Sequence, residues 1–230
     1  MKILAFDTAN NSASVAISDD QVILAYLEEL RPTLQAETIV PMIEEALKIA
    51  GLSYQQLDYL AVTNGPGSFT GIRIGLSVAK AIVLSTSVKG TTVSNFEYSY
   101  FRASAQVRNY SKMFVFLNAY RGQLYSQVFN QDGTASKALL ITYEQAIDLI
   151  KREEGIRICT GSGVELIYDR IKDQENVIIL PRFAKVKALH ICRYIANKIS
   201  LTQLLPSSIE PLYIRPPDAK LQSKGITSYS

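Results

Sequence analysis

The order of predicted secondary structure is the same in both halves of this 230-residue chain, and this repetition limits the fold more than any other feature. Each half begins with three short apolar or β-branched runs: KILAF, SASVAIS and QVILAYL, then KMFVFLN, GQLYSQVF and KALLI. Runs of this kind between polar turns predict strands. A helix with apolar residues at helical spacing follows each set, and two strand–helix pairs come after it. Both halves are therefore predicted as βββαβαβα.

Two such units in succession predict an α/β protein with a duplicated actin-like fold. This is the ribonuclease H-like architecture of actin, sugar kinases and Hsp70 ATPase domains. We expect an N-terminal domain at residues 1–107, which carries the association helices, and a C-terminal domain at residues 108–205. For the tail, residues 206–230, we expect a return to the N-terminal domain and a partly disordered end. A fold of this kind does not by itself give a function.

Composition limits the class of protein. Apolar residues make up 47% of the chain, yet no apolar run approaches the roughly twenty residues that a membrane span needs. The start, MKILAFDTANN, is too weakly apolar for a secretory signal, so we expect a cytoplasmic protein with no membrane contact. The net charge of +3 is mild, and a solvated helix face explains the basic residues at 182–198 better than RNA binding does. Cys159 and Cys192 stand in apolar contexts and are expected to be buried thiols.

The segment NGPGSFTGIRIG, residues 64–75, joins a predicted strand to a predicted helix but matches neither well-known phosphate motif. A Walker A loop needs Gly-Lys-Ser/Thr, and this segment has no lysine. The dinucleotide fingerprint needs glycines at spacings two and three, whereas Gly65, Gly67 and Gly71 are two and four apart. The N–H groups at the helix start could still hold an anion weakly. Gly65, Gly67 and Ser68 are therefore weak nucleotide-binding candidates.

Asp7 is a further weak nucleotide-binding candidate, because it ends the first predicted strand. Nucleotide-binding turns of this fold usually read Asp-x-Gly-Thr, where the glycine lets the backbone approach a phosphate. Here the turn reads DTAN, with Ala9 in place of the glycine, and the second half has Asn118 in place of the acid. We favour a structural role, in which the Asp7 carboxylate accepts backbone N–H groups of its own turn, over a live ATP site.

A stripe of small residues marks the helix predicted at 70–86. Gly71, Gly75 and Ala79 are four residues apart and so lie on one helix face. Interior glycines cost about 1 kcal/mol each relative to alanine, so a compensating close contact is expected. The contact is either with the protein's own sheet or with a second subunit, and we favour the subunit. The predicted partner-interface residues are Ile39, Ile43, Leu47, Gly71, Ile72, Gly75, Leu76, Ala79 and Val83.

The segments ILAFDTA, GPGSFTGIRIG, RGQLY and PLYIR resemble, in that order, the bacterial TsaB (YeaZ) family, and the resemblance spans nearly the whole chain. It implies a degenerate paralogue of TsaD, the transferase that forms N6-threonylcarbamoyladenosine in tRNAs reading codons that begin with adenosine. It also implies TsaD as a partner, TsaE through the TsaD complex, a homodimer in isolation and indirect contact with tRNA. ATP or ADP is expected only at the level of the complex.

The single histidine decides what chemistry is expected. The resemblance implies that TsaD holds its metal with a His-x-x-x-His pair, which His190 alone cannot supply. Cys192 is two residues from His190 on a predicted helix, so the two side chains point to different faces. We expect no catalytic residue, no metal ligand and no cofactor bound by this chain alone, and therefore a non-catalytic subunit. The alternative is a free-standing nucleotide-dependent kinase or ATPase of the actin-like superfamily.

Overall fold

The computed structural model describes residues 1–10, 12–31, 33–180, 186–201 and 207–215, which form two five-stranded sheets flanked by helices. The strands are β1 Lys2–Asp7, β2 Ala13–Asp19, β3 Val22–Glu29, β4 Tyr59–Thr63, β5 Lys89–Val93, β6 Lys112–Asn118, β7 Gln123–Phe129, β8 Leu139–Thr142, β9 Arg157–Thr160 and β10 Val177–Ile179. The helices are α1 Gln35–Ala50, α2 Phe69–Ser85, α3 Asn95–Ser104, α4 Tyr143–Lys151, α5 Tyr168–Ile171 and α6 Ala188–Leu201. The predicted order βββαβαβα is confirmed in both halves.

The first sheet has the strand order β3-β2-β1-β4-β5. Strand β1 pairs antiparallel with β2 and parallel with β4. Side chains alternate between the two faces of a strand, and both faces of β1 are buried: Leu4 and Phe6 belong to one core, and Ile3 and Ala5 to another. Helices α1 and α2 cover the first face, and α6 covers the second. Burial on both faces explains why the central strands read as continuous apolar runs.

The second sheet has the order β10-β9-β6-β7-β8, with β6 in the centre. Phe114 and Phe116 of β6 pack towards α4 and α5, whereas Met113 and Val115 face Phe96 of α3. The third helix of each half therefore packs on the sheet of the other half: α3 on the second sheet and α6 on the first. The boundary expected at residue 107 follows the sequence repeat, and the packing of α3 and α6 crosses it.

Residues 207–215, here named the C-terminal strap, lie along the outer strand β5 and continue towards the second half. The N–H of Ser207 donates to the Gly90 carbonyl at 3.1 Å, and the N–H of Leu212 donates to the Asn64 carbonyl at 2.9 Å. Ile209 is buried in the core under α2, and Leu212 packs on the core of the second sheet. The strap thus covers a sheet edge whose backbone groups would otherwise be open to pairing with another chain.

Two helix ends carry the capping residues that their local sequence favours. Gly51 ends α1 with a φ of 65°, and its N–H reaches the carbonyl oxygens of Leu47 and Lys48. A glycine adopts this left-handed conformation without the strain that a Cβ would bring. Thr142 and Gln145 form the predicted capping box at the start of α4.

Some local features differ from what the sequence pattern predicts. A proline at 41 predicts either a kink or a helix start at that residue, and α1 in fact starts at Gln35. Pro41 lies on the exposed side of the helix, where the carbonyl of Glu37 can turn to solvent. Helix α3 ends at Ser104 and not at residue 107. The segment TGSGVELI opens only a 3₁₀ turn, Val164–Leu166, and the one-turn helix α5. The expected helix start at residue 184 and the order of residues 221–230 lie outside the described residues.

Candidate functional site

The two halves enclose a cleft of about 500 Å³, a volume typical of small-molecule sites. Four turns meet there: the β1–β2 and β6–β7 turns, and the turns that follow β4 and β9. Of the nucleotide-binding candidates, Gly67 and Ser68 line the cleft, whereas Asp7 and Gly65 lie outside its lining. The fold therefore brings only two of the four candidates to one cavity.

Asp7 braces its own turn. Its side chain is fully buried, and its Oδ1 accepts the Ala9 N–H at 3.2 Å and the Asn10 amide at 3.2 Å. The Thr63 hydroxyl, at the end of the neighbouring strand β4, donates to the same oxygen. Burial raises the pKa of Asp7 from 3.8 to about 6, although the hydrogen bonds from Thr63, Ala9 and Asn10 act in the opposite direction. These contacts provide the local backbone capping that the sequence predicts for this acid.

The glycines of the β4–α2 segment let α2 approach the β1–β2 turn. A Cβ built on Gly67 would overlap the Ala9 carbonyl oxygen, and one on Gly71 would overlap the Thr8 carbonyl oxygen. At Gly75 a Cβ would lie 2.5 Å from the Thr8 hydroxyl oxygen, which itself donates to the Gly71 carbonyl at 2.7 Å. Each glycine of the stripe therefore compensates its conformational cost by close packing within the chain.

The start of α2 is engaged by the protein's own groups. The Ser68 N–H donates to the Ala9 carbonyl at 2.8 Å. The Ser68 hydroxyl caps the helix by accepting the Gly71 N–H at 3.2 Å. Free N–H groups at a helix start are what make such a position attractive to an anion. Because these two donors are already satisfied, the segment is first of all a sharp strand-to-helix turn.

The opposite wall of the cleft repeats this construction with different residues. Asn118 ends β6, and its side-chain oxygen accepts the Tyr120 N–H at 2.8 Å. Gly161 has a φ of 104°, and a Cβ there would overlap the Phe116 carbonyl oxygen. The Ser162 hydroxyl accepts the Asn118 N–H at 3.1 Å. A glycine turn thus packs against the first hairpin turn in both halves.

The nine predicted partner-interface residues belong to the core of this chain, and their contact with a second subunit stays a prediction. Eight are buried, and Val83 is partly buried against the same core: Ile39, Ile43, Leu47, Gly71, Ile72, Gly75, Leu76, Ala79 and Val83. Small residues permit close approach to any backbone, and here that backbone is the β1–β2 turn. A partner of α1 and α2 would meet their other, exposed faces, and such a partner stays a prediction.

An exposed aromatic cluster at the start of α2 is the feature that sequence reasoning missed. The ring of Phe69, 55% exposed, stacks on the ring of Tyr213, 49% exposed, with 5.6 Å between centroids. The Arg73 guanidinium lies 3.9 Å from the Phe69 centroid, and its Nε donates to the Tyr213 hydroxyl at 3.0 Å. Tyr and Arg are the residue types that most often anchor protein interfaces. The spacing of Phe69 and Arg73 gives half of this signal, but Tyr213 is remote in sequence.

His190 lies half-buried between α6 and α3, where its Nε2 contacts the Arg102 guanidinium. Burial, together with the nearby cations Arg102, Arg193 and Lys187, lowers the pKa of His190 to about 4, so the imidazole is neutral at pH 7. Within the described ranges, no group of three or more His, Cys, Asp and Glu side chains is arranged to hold a metal.

Both cysteines are free and buried, as their apolar contexts predict. Burial raises the pKa of each thiol to about 12, so neither forms a reactive thiolate at pH 7. Cys192 is directed at the backbone of the first sheet, with its Sγ 3.7 Å from the Ala16 carbonyl oxygen. Each cysteine is therefore a packing residue.

The fold and the cleft define the class: a duplicated actin-like protein whose two halves face each other across a cavity. A family model described as tRNA N6-adenosine threonylcarbamoyltransferase matches residues 33–205. A relative from Escherichia coli K12, the tRNA threonylcarbamoyladenosine biosynthesis protein TsaB, is 31% identical over 229 residues. That match covers 94% of this chain and 95% of the relative. The chain therefore belongs to the TsaB (YeaZ) family.

Solved structures agree on the fold. A Pseudomonas aeruginosa protein described as similar to peptidase YeaZ has a TM-score of 0.76 at 20% identity, covering 93% of this chain and 99% of its own. The ROK hexokinase of Thermus thermophilus has a TM-score of 0.52 at 12% identity, covering 88% of this chain and 100% of its own. At such identities the likeness extends to the fold alone.

Among the parts of the chain that the structure describes, no helix combines the length and the apolar character needed to cross a membrane.

Proposed function

We propose that this protein is a non-catalytic subunit that binds TsaD. It supports formation of N6-threonylcarbamoyladenosine in tRNAs reading codons that begin with adenosine. Family membership supports the pathway. One observation supports the non-catalytic role: the Ala9 carbonyl accepts the Ser68 N–H and fills the space beside Gly67. The Ala9 backbone thus occupies the position beside Gly67 that a phosphate bound to the Ser68 N–H would need.

The partner surface proposed here is the exposed side of α1 and α2, anchored by the cluster of Phe69, Arg73 and Tyr213. The buried stripe of α2 supports this surface from below, because it fixes the helix on the sheet. Stacked rings and a held guanidinium lose little conformational freedom on binding, which favours their use as anchors. TsaD is the partner proposed for this surface. TsaE is reached through the TsaD complex, and tRNA is contacted indirectly.

The same surface suits a homodimer when TsaD is absent. The exposed residues Glu37 and Glu44 make α1 acidic, and Arg73 and Lys80 make α2 basic. A two-fold axis can place α1 of one copy against α2 of the other, so that opposite charges meet twice. The proposed setting is the cytoplasm, with no cofactor held by this chain alone. ATP or ADP would enter only at the level of the complex.

Charge reversal at Arg73 tests the surface. The Arg73→Glu protein should bind TsaD at least about tenfold more weakly in sedimentation experiments, because an interface anchor is lost together with its contacts to Phe69 and Tyr213. Lys151→Glu, an exposed reversal on α4, is the matched control and should bind normally. Equal TsaD affinity for both variants at equal melting temperature would place the interface elsewhere. Failure of the unchanged protein to bind TsaD would contradict the proposed function itself.

The alternative is a free-standing nucleotide-dependent kinase or ATPase. The cleft of about 500 Å³ and the fold shared with a hexokinase favour this candidate. ATP turnover or threonylcarbamoyl transfer by the purified chain, without TsaD, would establish it. The proposed subunit role gives the opposite result, since neither activity should then exceed background. The His190→Ala variant should also leave reconstituted tRNA modification within a few-fold of normal, because the neutral imidazole packs between helices.

A further inference from the structure

We propose that the C-terminal strap, residues 207–215, ties the two halves together and thereby sets the width of the cleft between them. The strap leaves the first sheet, crosses to the second half, and grips turns on both sides of the cavity. This inference rests on intrachain contacts and does not depend on the proposed function.

The first anchor of the strap lies on the first half. The Ser207 N–H donates to the Gly90 carbonyl at 3.1 Å, and the Ser207 hydroxyl accepts the Thr92 N–H at 3.2 Å. Ile209 is 8% exposed and packs so closely on Gly90 that a Cβ there would lie 2.7 Å from its Cδ1. The Asn64 side chain donates to the Glu210 carbonyl at 3.2 Å. Main-chain, side-chain and apolar contacts together fix this end.

The second anchor lies on the other half. Arg215 directs its Nη2 to the Ala119 carbonyl and to the Gln123 side-chain oxygen, at 2.9 Å in each case. One guanidinium therefore joins the two sides of the β6–β7 turn. Leu212 and Ile214 pack on the same core as the second sheet. Hydrogen bonds from a charged donor are stronger than those between neutral groups, which makes Arg215 the principal polar anchor.

Tyr213 and Arg215 of the strap both contact residues next to the lining of the cleft. Tyr213 of the strap stacks on Phe69, the neighbour of the cleft residue Ser68. Arg215 holds the turn that carries Tyr120, which lines the opposite wall. Two residues of one extended segment thus connect the two walls of the cavity. Releasing Arg215 should let the two walls separate within the limits set by α3 and α6, which pack across the boundary between the halves.

Arg215→Ala tests the strap in the full-length chain. Spin labels on Gln55→Cys and Lys151→Cys report the separation of the halves, because both positions are exposed and the native cysteines are buried. In the Arg215→Ala protein, we expect the distribution of distances between the two labels to be broader and shifted to longer values. We also expect about tenfold faster amide exchange at residues 118–123, equivalent to one hydrogen bond from a charged donor. Arg170→Ala, which removes an exposed ion pair with Glu144, is the matched control and should change neither reading.

The outcomes separate a strap from a local brace. Faster exchange confined to residues 118–123, with an unchanged distance distribution, would overturn the proposal and leave Arg215 as a support of one turn. An unchanged Arg215→Ala protein would overturn it as well. If Arg215→Ala does not fold, Arg215→Lys serves in its place, because it keeps the charge but lacks the guanidinium whose Nη2 reaches both acceptors. A broadened distribution in that variant supports the strap, and an unchanged one contradicts it.

Discussion

The β1–β2 turn and the β6–β7 turn have the same construction but different chemistry. Each begins with a side-chain oxygen, on Asp7 or Asn118, that accepts the N–H group two residues ahead. Asp7 is fully buried and also receives the Thr63 hydroxyl, whereas Asn118 is partly exposed. The tip residue Tyr120 is 66% exposed, while Ala9 is almost fully buried. The two turns therefore share one capping bond and differ in the environment of that bond.

This difference explains why the acid alone does not indicate a nucleotide site. An acid at the end of the first strand resembles the start of a phosphate-binding turn, but here its acceptor atoms are used by its own neighbours. Asn118 makes the same local bond in the other half without any charge. Because a neutral amide makes the same bond in the equivalent turn, the Asp7 side chain acts to hold the shape of its own turn. The contacts of Asp7 are thus sufficient to explain its presence.

The largest expected effect tests whether the close approach at the first turn stabilises the fold. Gly75→Leu should lower the free energy of unfolding by about 3 kcal/mol or more, the upper end of the cost of overpacking, because even its Cβ would lie 2.5 Å from the Thr8 hydroxyl oxygen. Thermal and urea unfolding of the isolated chain measure this change. Ala81→Leu, on the exposed side of the same helix, is the control and should stay within about 0.5 kcal/mol.

Association data sharpen the same test. Weaker binding to TsaD with normal stability in Gly75→Leu would mean that the stripe faces a partner after all. The packing seen here leads us to expect the reverse: a less stable chain whose folded fraction associates normally.

The second prediction is that the free energy of unfolding depends on pH through Asp7 in the β1–β2 turn and not through the β6–β7 turn. The pKa of Asp7 is about 6 in the folded chain against an ordinary value of 3.8, so the folded state binds the proton more tightly. Protonation of Asp7 therefore stabilises the folded state by an amount on the order of 3 kcal/mol. This stabilisation is fully present below about pH 4 and is lost as the pH rises through about 6. Asp7→Asn should abolish this slope, which urea unfolding from pH 4 to pH 7 measures as a difference from wild type.

Asn118→Asp is the reciprocal control. It places an acid in the partly exposed turn, where water can solvate the carboxylate, so no comparable slope is expected. A similar slope in Asn118→Asp would mean that burial does not distinguish the turns.

The fold was predictable because local patterns repeat. The continuous apolar runs of β1 and β6, the C-cap at Gly51 and the capping box of Thr142 and Gln145 can each be read from a short segment of sequence. The packing of α3 on the second sheet and of α6 on the first was not predictable, because both helices have an apolar face and nothing in the sequence of that face indicates which sheet it covers. Tertiary choice of this kind depends on contacts between residues far apart in the chain.

The candidate site was predictable only in part, for a related reason. The spacing of Gly71 and Gly75 correctly indicates a close backbone approach, but periodicity cannot say whose backbone approaches. Thr8 supplies it here, more than sixty residues away in sequence. Tyr213 and Arg215 belong to an extended strap without a periodic pattern, so no local signal marks their roles. Long-range packing decides these positions.

The smallest expected effect compares removal of the two acceptors. Asn118→Ala should lower the free energy of unfolding by only about 0.5–1 kcal/mol, because the Tyr120 N–H that it leaves lies at an exposed turn where water can replace the lost acceptor. Asp7→Ala should be more costly, by about 1–3 kcal/mol, since it leaves the Thr63 hydroxyl and the Ala9 N–H buried without an acceptor. Urea midpoints at pH 7 with unchanged slopes measure both values. Equal losses would mean that water reaches both turns alike, and the contrast between a buried and an exposed copy of one turn would then fail.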